Sequence, residues 1–192
     1  MINKLASRAR VGRQGAEDEQ GRAGLMILVA LGANMPSPVH GSPRATLEAA
    51  LKALNRSGLK VVARSAWYET APVPISDQPW FVNGVVAVET ALGPAPVLER
   101  LHRIEEAFGR VRDIVNGPRV LDLDLLAHGD IVSDGWPSGD WPVLPHPRLH
   151  ERAFVLQPLA DVAPEWRHPV DGRDIREMLA GIGPEQTTRR LP

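Results

Sequence analysis

Two aspartates separated by one leucine, in the run Val120-Leu121-Asp122-Leu123-Asp124-Leu125-Leu126, are the residues of this 192-residue sequence whose type and spacing speak most directly of chemistry. On an extended strand, successive side chains point to opposite faces. Leu121, Leu123 and Leu125 then share one face, while Asp122 and Asp124 share the other with Cα atoms roughly 7 Å apart. Aspartate is a poor strand former, and like charges side by side repel. A divalent cation between the two carboxylates removes that conflict. The alternative is a solvated strand face with two tolerated carboxylates. The sequence has no cysteine, so any metal must be held by carboxylates or histidines, and carboxylates suit a hard cation such as Mg²⁺.

Other residues gather around this pair in sequence. Arg110, Arg112 and Arg119 precede the strand, and Arg148 and Arg152 follow it near His146. Guanidinium forks match phosphate oxygens and stay charged. Carboxylates for metal beside cations for phosphate form the combination that a nucleotide–Mg²⁺ site requires. Salt bridges between these arginines and the same aspartates account for the cluster without any ligand. Glu105 stands four residues after Leu101 and three before Phe108, on a stripe that a helix would turn toward the core. A carboxylate there is costly unless paired or bound to metal; taken alone, a stripe-edge Glu reaching water is the plainer reading. Phe81 and Asn83 fall on one face of a strand, where a ring and an amide could hold a flat heterocycle by stacking and paired hydrogen bonds. Core packing is the competing account of the ring. No glycine fingerprint of the Walker or Rossmann type is present, and Gly32-Ala33-Asn34 is too generic to serve as one. Nor is there a Ser-His-Asp or metalloprotease signature.

The elements that must position these residues are legible in outline. Residues 25–31 form an apolar run ending at Gly32, a buried strand. Ser42 before Pro43 starts a helix with Leu47, Ala50, Leu51 and Leu54 at helical spacing, stopped by Gly58. Residues 59–68 read as a second strand and 81–90 as a third, joined by a loop with Pro72, Pro74 and Pro79. Pro96 opens a second helix with the stripe Val97, Leu101, Ile104 and Phe108, and 120–128 is a fourth strand. A short strand near Ile131-Val132 and short helices over 153–159 and 175–179 complete the expectation. The order β-α-β-β-α-β is the ferredoxin-like pattern, an α+β sandwich with a mainly antiparallel sheet and flanking helices. That fold hosts many functions and names none of them.

Bulk properties narrow the class. Hydrophobic residues make up 43% and charged residues 23%, the composition of one globular domain. A net charge of −1 gives no field for nucleic acid or a membrane surface, and no apolar run approaches the roughly 18 residues needed to span a bilayer. Residues 1–24 are rich in Arg, Gly, Glu and Gln and poor in apolar residues, the composition of a disordered leader before a single domain over 25–192; Met26 is a candidate alternative start. Absence of cysteine fits a cytoplasmic protein.

At the chemically suggestive residues, the sequence resembles the 6-hydroxymethyl-7,8-dihydropterin pyrophosphokinases. Gly117-Pro118-Arg119-Val120-Leu121-Asp122-Leu123-Asp124 matches that family's G-P-R-x-x-D-L-D signature. Leu31-Gly32-Ala33-Asn34, Asp77-Gln78-Pro79, Phe81-Val82-Asn83, Glu105 with Gly109-Arg110-Val111-Arg112, Leu144-Pro145-His146-Pro147-Arg148 and Arg152-Ala153-Phe154 follow in family order. The resemblance implies a monomer that transfers pyrophosphate from ATP to the pterin alcohol in folate synthesis. It implies that Asp122 and Asp124 hold two Mg²⁺ ions, and that Arg110, Arg119, His146 and Arg152 neutralise phosphates with Arg112 and Arg148 in support. Phe81 and Phe154 would sandwich the pterin, with Asn83 and main-chain groups near Thr70 and Val73 reading its edge. Glu105 would lie beside nucleotide and metals, and Leu98 and Leu125 would line an adenine pocket with His102 nearby. Ala33 stands where Ser is usual, Ala71-Pro72 where Pro-Pro is common, and Asn116 where some members carry Trp. The rival class is a ferredoxin-like ligand-binding or regulatory module without catalysis; an RNA-recognition version would want a basic surface and exposed aromatics. An ordinary γ-phosphoryl kinase is the second rival.

Overall fold

The computed structural model describes residues 26–73, 76–110, 119–138 and 142–192. Residues 1–24, Leu25, Arg112 and Asn116 lie outside the described residues.

The chain runs β1 (Ile27–Ala33), α1 (Pro43–Arg56), β2 (Lys60–Arg64), β3 (Tyr68–Thr70), β4 (Phe81–Glu89), α2 (Pro94–Ala107), β5 (Asp122–His128), α3 (Ala153–Val162), α4 (Ile175–Ala180) and β6 (Thr188–Arg190), with a 3₁₀ turn at Leu149–Glu151 before α3. All pairings are antiparallel, in the order β5-β1-β4-β3-β6, and β2 also pairs β4. The expected ferredoxin-like α+β fold is what forms. β1 is covered on both faces, which is why it reads as an unbroken apolar run rather than an alternation. Ile27, Val29 and Leu31 pack with Leu47, Leu54, Val97 and Leu101 of α1 and α2. Leu28, Val85, Ala87 and Leu126 pack on the opposite face with Val155, Leu156, Leu159 and Met178 of α3 and α4.

Local chemistry sets the boundaries. Ser42 Oγ accepts from Ala45 N at 3.3 Å and Pro43 occupies the first turn, so α1 begins where its cap requires. α2 opens at Pro94, two residues before the expected Pro96. The stretch 59–68, expected as one strand, is two. Ser65 Oγ accepts from Val85 N at 3.0 Å, so a side chain takes the place of a ladder bond and the strand breaks there. Trp67 then crosses β4 at Gly84, where an added Cβ would come within 2.6 Å of the indole ring. No strand forms at Ile131-Val132; Ser133 N instead donates to Leu144 O at 2.8 Å, tying the loop end to end. β6, unanticipated, adds itself to the sheet beside β3.

Candidate active site

The α3/α4 layer covers only part of its sheet face. Beyond it the same face is open, forming a cleft of about 320 Å³, at the small end of the range for ligand sites. The alternation on β4 and β5 explains its polarity. Asn83 is two residues before Val85, and Asp124 two before Leu126; Val85 and Leu126 lie under α3, while Asn83, Asp122 and Asp124 line the cleft. Gly32 of β1 forms part of the floor, and a Cβ there would stand 2.7 Å from Asn83 Oδ1. Its lack of a side chain is what admits the asparagine.

The polar end holds the aspartate pair and four arginines, three of them paired with the aspartates. Arg119 pairs with Asp122 Oδ2. Arg110 Nη1 lies 2.7 Å from Asp122 Oδ1, and Arg152 Nη1 lies 3.9 Å from Asp124 Oδ2. The ion-pair reading of the sequence is therefore realised, but at the wall of a cleft rather than on an open surface. Desolvation, followed by the neighbouring charge of Asp122, pushes the Asp124 carboxyl up to about 6 against the pull of Arg152, Arg119 and Arg110. Arg148 also lines this end. Burial and the charges of Arg152 and Arg148 hold His146 down to about 4. Its Nδ1 accepts from Arg148 N at 3.1 Å, so at neutral pH the ring is uncharged with its proton on Nε2. His146 thus offers an N–H donor where the sequence reading gave it a share in neutralising charge.

Glu105 is completely buried and does not line the cleft. Its Oε1 accepts from Leu123 N at 2.7 Å and pairs with Arg110. Leu123 sits between the two aspartates on a strand that is the sheet edge among the described residues, so Glu105 satisfies an edge amide there. Burial raises its carboxyl to about 7, opposed by the Leu123 amide and Arg110. Leu98 and Leu125 lie in the α1/α2 core, and His102 is half-buried on α2; none of these three lines the cleft.

At the other end Phe81 and Phe154 line the cleft with Thr70 and Val73. Asn83 Nδ2 donates to Thr70 Oγ1 at 2.7 Å, which fixes the amide and turns its oxygen toward Gly32. Arg152 lies 5.3 Å over the Phe154 ring, coupling the aromatic and cationic walls. Asn34, part of the Leu31–Asn34 family match but given no role in the sequence reading, is 2% exposed and ties the two ends together. Its Oδ1 accepts from Arg119 N at 2.7 Å, its Nδ2 donates to Pro79 O at 3.2 Å, and its own amide donates to Arg119 O at 3.0 Å. The clue in the sequence was a buried-strand end followed by an amide side chain, where a loop must be held.

Oxygen donors with desolvated, mutually repelling charge fit a hard divalent cation. Among the described residues no group of three or more acidic, His or Cys side chains converges to hold an ion; two carboxylates leave most of an octahedral shell to phosphate and water, the usual arrangement for Mg²⁺ delivered with a nucleotide.

Fold and cleft together define an α+β protein whose cleft carries carboxylates and arginines at one end and aromatic rings with an amide at the other. The sequence model of the 7,8-dihydro-6-hydroxymethylpterin-pyrophosphokinase (HPPK) family matches residues 28–164, and the chain belongs to that family. It is 44% identical over 169 residues to the 2-amino-4-hydroxy-6-hydroxymethyldihydropteridine pyrophosphokinase of Pseudomonas aeruginosa, covering 86% of this chain and 96% of that one. The enzyme of the same description from Methylorubrum extorquens is 47% identical over 133 residues, covering 69% and 80%. Among solved structures, Plasmodium falciparum HPPK-DHPS wild type superposes with a TM-score of 0.61 at 16% identity over 82% of this chain; the match covers only 44% of that longer chain, and the likeness is one of fold. Among the described residues, no helix is long and apolar enough to cross a membrane.

Proposed function

We propose that this chain transfers the pyrophosphoryl group of ATP to 6-hydroxymethyl-7,8-dihydropterin, giving AMP and the pterin diphosphate for folate synthesis. The observation that carries this reading is one cleft with an aspartate pair and arginines at one end and a ring-and-amide wall at the other, in a chain of this family. Phe81 and Phe154 stack on the pterin, and Asn83, held by Thr70, reads its edge together with main-chain groups near Thr70 and Val73. Arg110, Arg119 and Arg152 exchange their aspartate contacts for phosphate oxygens, Arg148 and Arg112 support them, and neutral His146 donates from Nε2. Glu105 acts through Arg110 and the Leu123 amide. Asp122 and Asp124 would hold two Mg²⁺ ions, which supply positive charge against the phosphates and the attacking hydroxyl. Leu98, Leu125 and His102 back the adenine end from the core side.

Nucleotide analysis tests the reaction class. With ATP, Mg²⁺ and the pterin alcohol, AMP should appear in step with pterin diphosphate; stoichiometric ADP would leave an ordinary kinase. We further propose a cytoplasmic monomer, with residues 1–24 a dispensable leader to the domain 25–192. A chain beginning at Met26 should keep its turnover, and lost turnover would give the leader a role.

A further inference from the structure

Residues 186–191 lie outside the stretch that matches the family, yet they touch both walls of the cleft. Gln186 reaches the wall that carries Arg152 and Phe154. Its Oε1 accepts from Ala153 N at 2.9 Å and its Nε2 donates to Glu151 O at 2.8 Å. Those two groups flank Arg152, the N-cap of α3, and no side-chain cap bond is made by Arg152 itself. A helix needs partners for its first amides, and here the partner comes from 33 residues away. The following residues hold the opposite wall. Thr187 O accepts from Ala71 N at 3.3 Å, β6 pairs with β3 from Tyr68 to Thr70, and Leu191 N donates to Trp67 O at 2.8 Å. Arg190 reaches back to Asp161 of α3 at 3.5 Å. Thr70 and Ala71 on one side, and Arg152 and Phe154 on the other, line the same cleft.

We propose that residues 186–191 form a clasp that sets the spacing between the two walls, with Gln186 as the positioning residue for Arg152 and Phe154. None of residues 186–191 lines the cleft, so the segment holds the walls from outside it. An isolated cap would steady α3 alone; this one is continuous with a strand that fixes the other wall, so the two are set together. The inference rests on the assignment of Arg152 and Phe154 to the substrates.

Gln186→Ala removes both hydrogen bonds, and Gln186→Met does so while keeping the side-chain length, in case the smaller residue does not fold. Either should raise KM for the pterin alcohol and for ATP about three- to ten-fold, the scale of one lost helix cap. Gln186→Glu retains an acceptor for Ala153 N and should recover part of that loss. Asp174→Ala dismantles the capping box of α4 and serves as the control: it should lower thermal stability and leave both KM values at the wild-type level. Wild-type KM values in the Gln186 variants would overturn the clasp, as would an equal rise in the Asp174 variant, since general loosening would then suffice. Phe154→Ala, assayed in parallel, separates the two layers of the argument. If it leaves the pterin KM unchanged, the underlying wall assignment falls and the clasp with it; if only the Gln186 variants are silent, the clasp alone falls.

Discussion

One face of the sheet is built in two ways along its length. Under α3 and α4 it carries Leu28, Val85, Ala87 and Leu126, all buried. A few residues further along the same strands it carries Gly32, Asn83, Asp122 and Asp124, which line the cleft. Backbone pairing runs through both halves, from Ile27↔Val88 to Ala33↔Val82 on one side of β1 and, with one register shift between Leu28 and Val29, from Ile27↔His128 to Gly32↔Asp122 on the other. The difference is therefore in what covers the sheet. Where a helix layer supplies apolar partners, burial stabilises the strands at about 25 cal/mol per Å² of apolar surface. Where the layer stops, nothing favours a large apolar residue, and the positions are available for groups that work on a ligand. Two aspartates on the edge strand β5 and a glycine on the central strand β1 weaken the sheet locally, and the covered half compensates.

Substitutions on β5 two residues apart should break this comparison most sharply. Asp122→Asn or Asp124→Asn keeps size and removes a charge that the proposed phosphate-transfer site uses. Turnover should fall about 10²–10³-fold, or roughly 3–4 kcal/mol of barrier, with the fold intact. Leu126→Ala should do the reverse, lowering stability by about 2–4 kcal/mol through a cavity under α3 while the folded fraction retains its turnover. Paired turnover and urea-melt measurements decide it. A destabilised Asp122→Asn protein with normal turnover would make the aspartates structural and erase the distinction between the halves.

At the aromatic end the expected effect is smaller. Phe81 opens β4 on the cleft side and is only half-buried, so Phe81→Ala should cost about 1–3 kcal/mol of pterin binding if stacking energies for nucleobases carry over. ATP binding should barely change. Titration of each ligand separately checks this; equal loss of both would make the ring part of the covered half.

The sequence displayed the two halves unequally. The alternation of Leu121, Asp122, Leu123 and Asp124 was readable because strand geometry alone assigns their faces, and the α1 cap and the apolar stripes were readable for similarly local reasons. Other features depended on partners far away in the chain. Glu105 was recognisable as a carboxylate on a core stripe, but its reason, the Leu123 edge amide, appears only when α2 packs on β5. Asn34 and Gln186 are unremarkable in composition, and each acts through residues tens of positions away. The break at Ser65 and the late strand β6 follow from tertiary hydrogen bonds that no local propensity encodes. Leu98 and Leu125, read as an adenine wall from the family resemblance, pack in the α1/α2 core and do not line the cleft; no local signature separates an apolar residue that backs a site from one of the core alone.

The smallest effect concerns pH, and it tests whether the open half is strained in the free protein. The Asp124 carboxyl stands at about 6 in the fold, above its ordinary 3.8, because desolvation and the charge of Asp122 outweigh Arg152, Arg119 and Arg110. A raised carboxylate pKa means the fold favours the protonated form. That contribution is fully present below about pH 4 and is lost as pH rises through 6. Glu105, raised to about 7, acts in the same direction, whereas His146, lowered to about 4, acts in the opposite one and weakens the fold as pH falls below its unfolded value. A wild-type stability profile mixes all three; the difference between wild type and Asp124→Asn cancels His146 and leaves of Glu105 only the push it receives from the Asp124 charge, which acts in the same direction. Asparagine cannot ionise, so the variant should gain on the wild type as pH rises from 4 to 7.5. The gap should reach about 1 kcal/mol, a value discounted for the partial exposure of the carboxylate. Urea melts at several pH values without metal would measure it, and Mg²⁺ added at pH 7.5 should close it by stabilising the wild type. A gap that stays constant with pH would show that Asp124 ionises there without strain, and that the open half of the sheet carries its charges as comfortably as an ordinary surface.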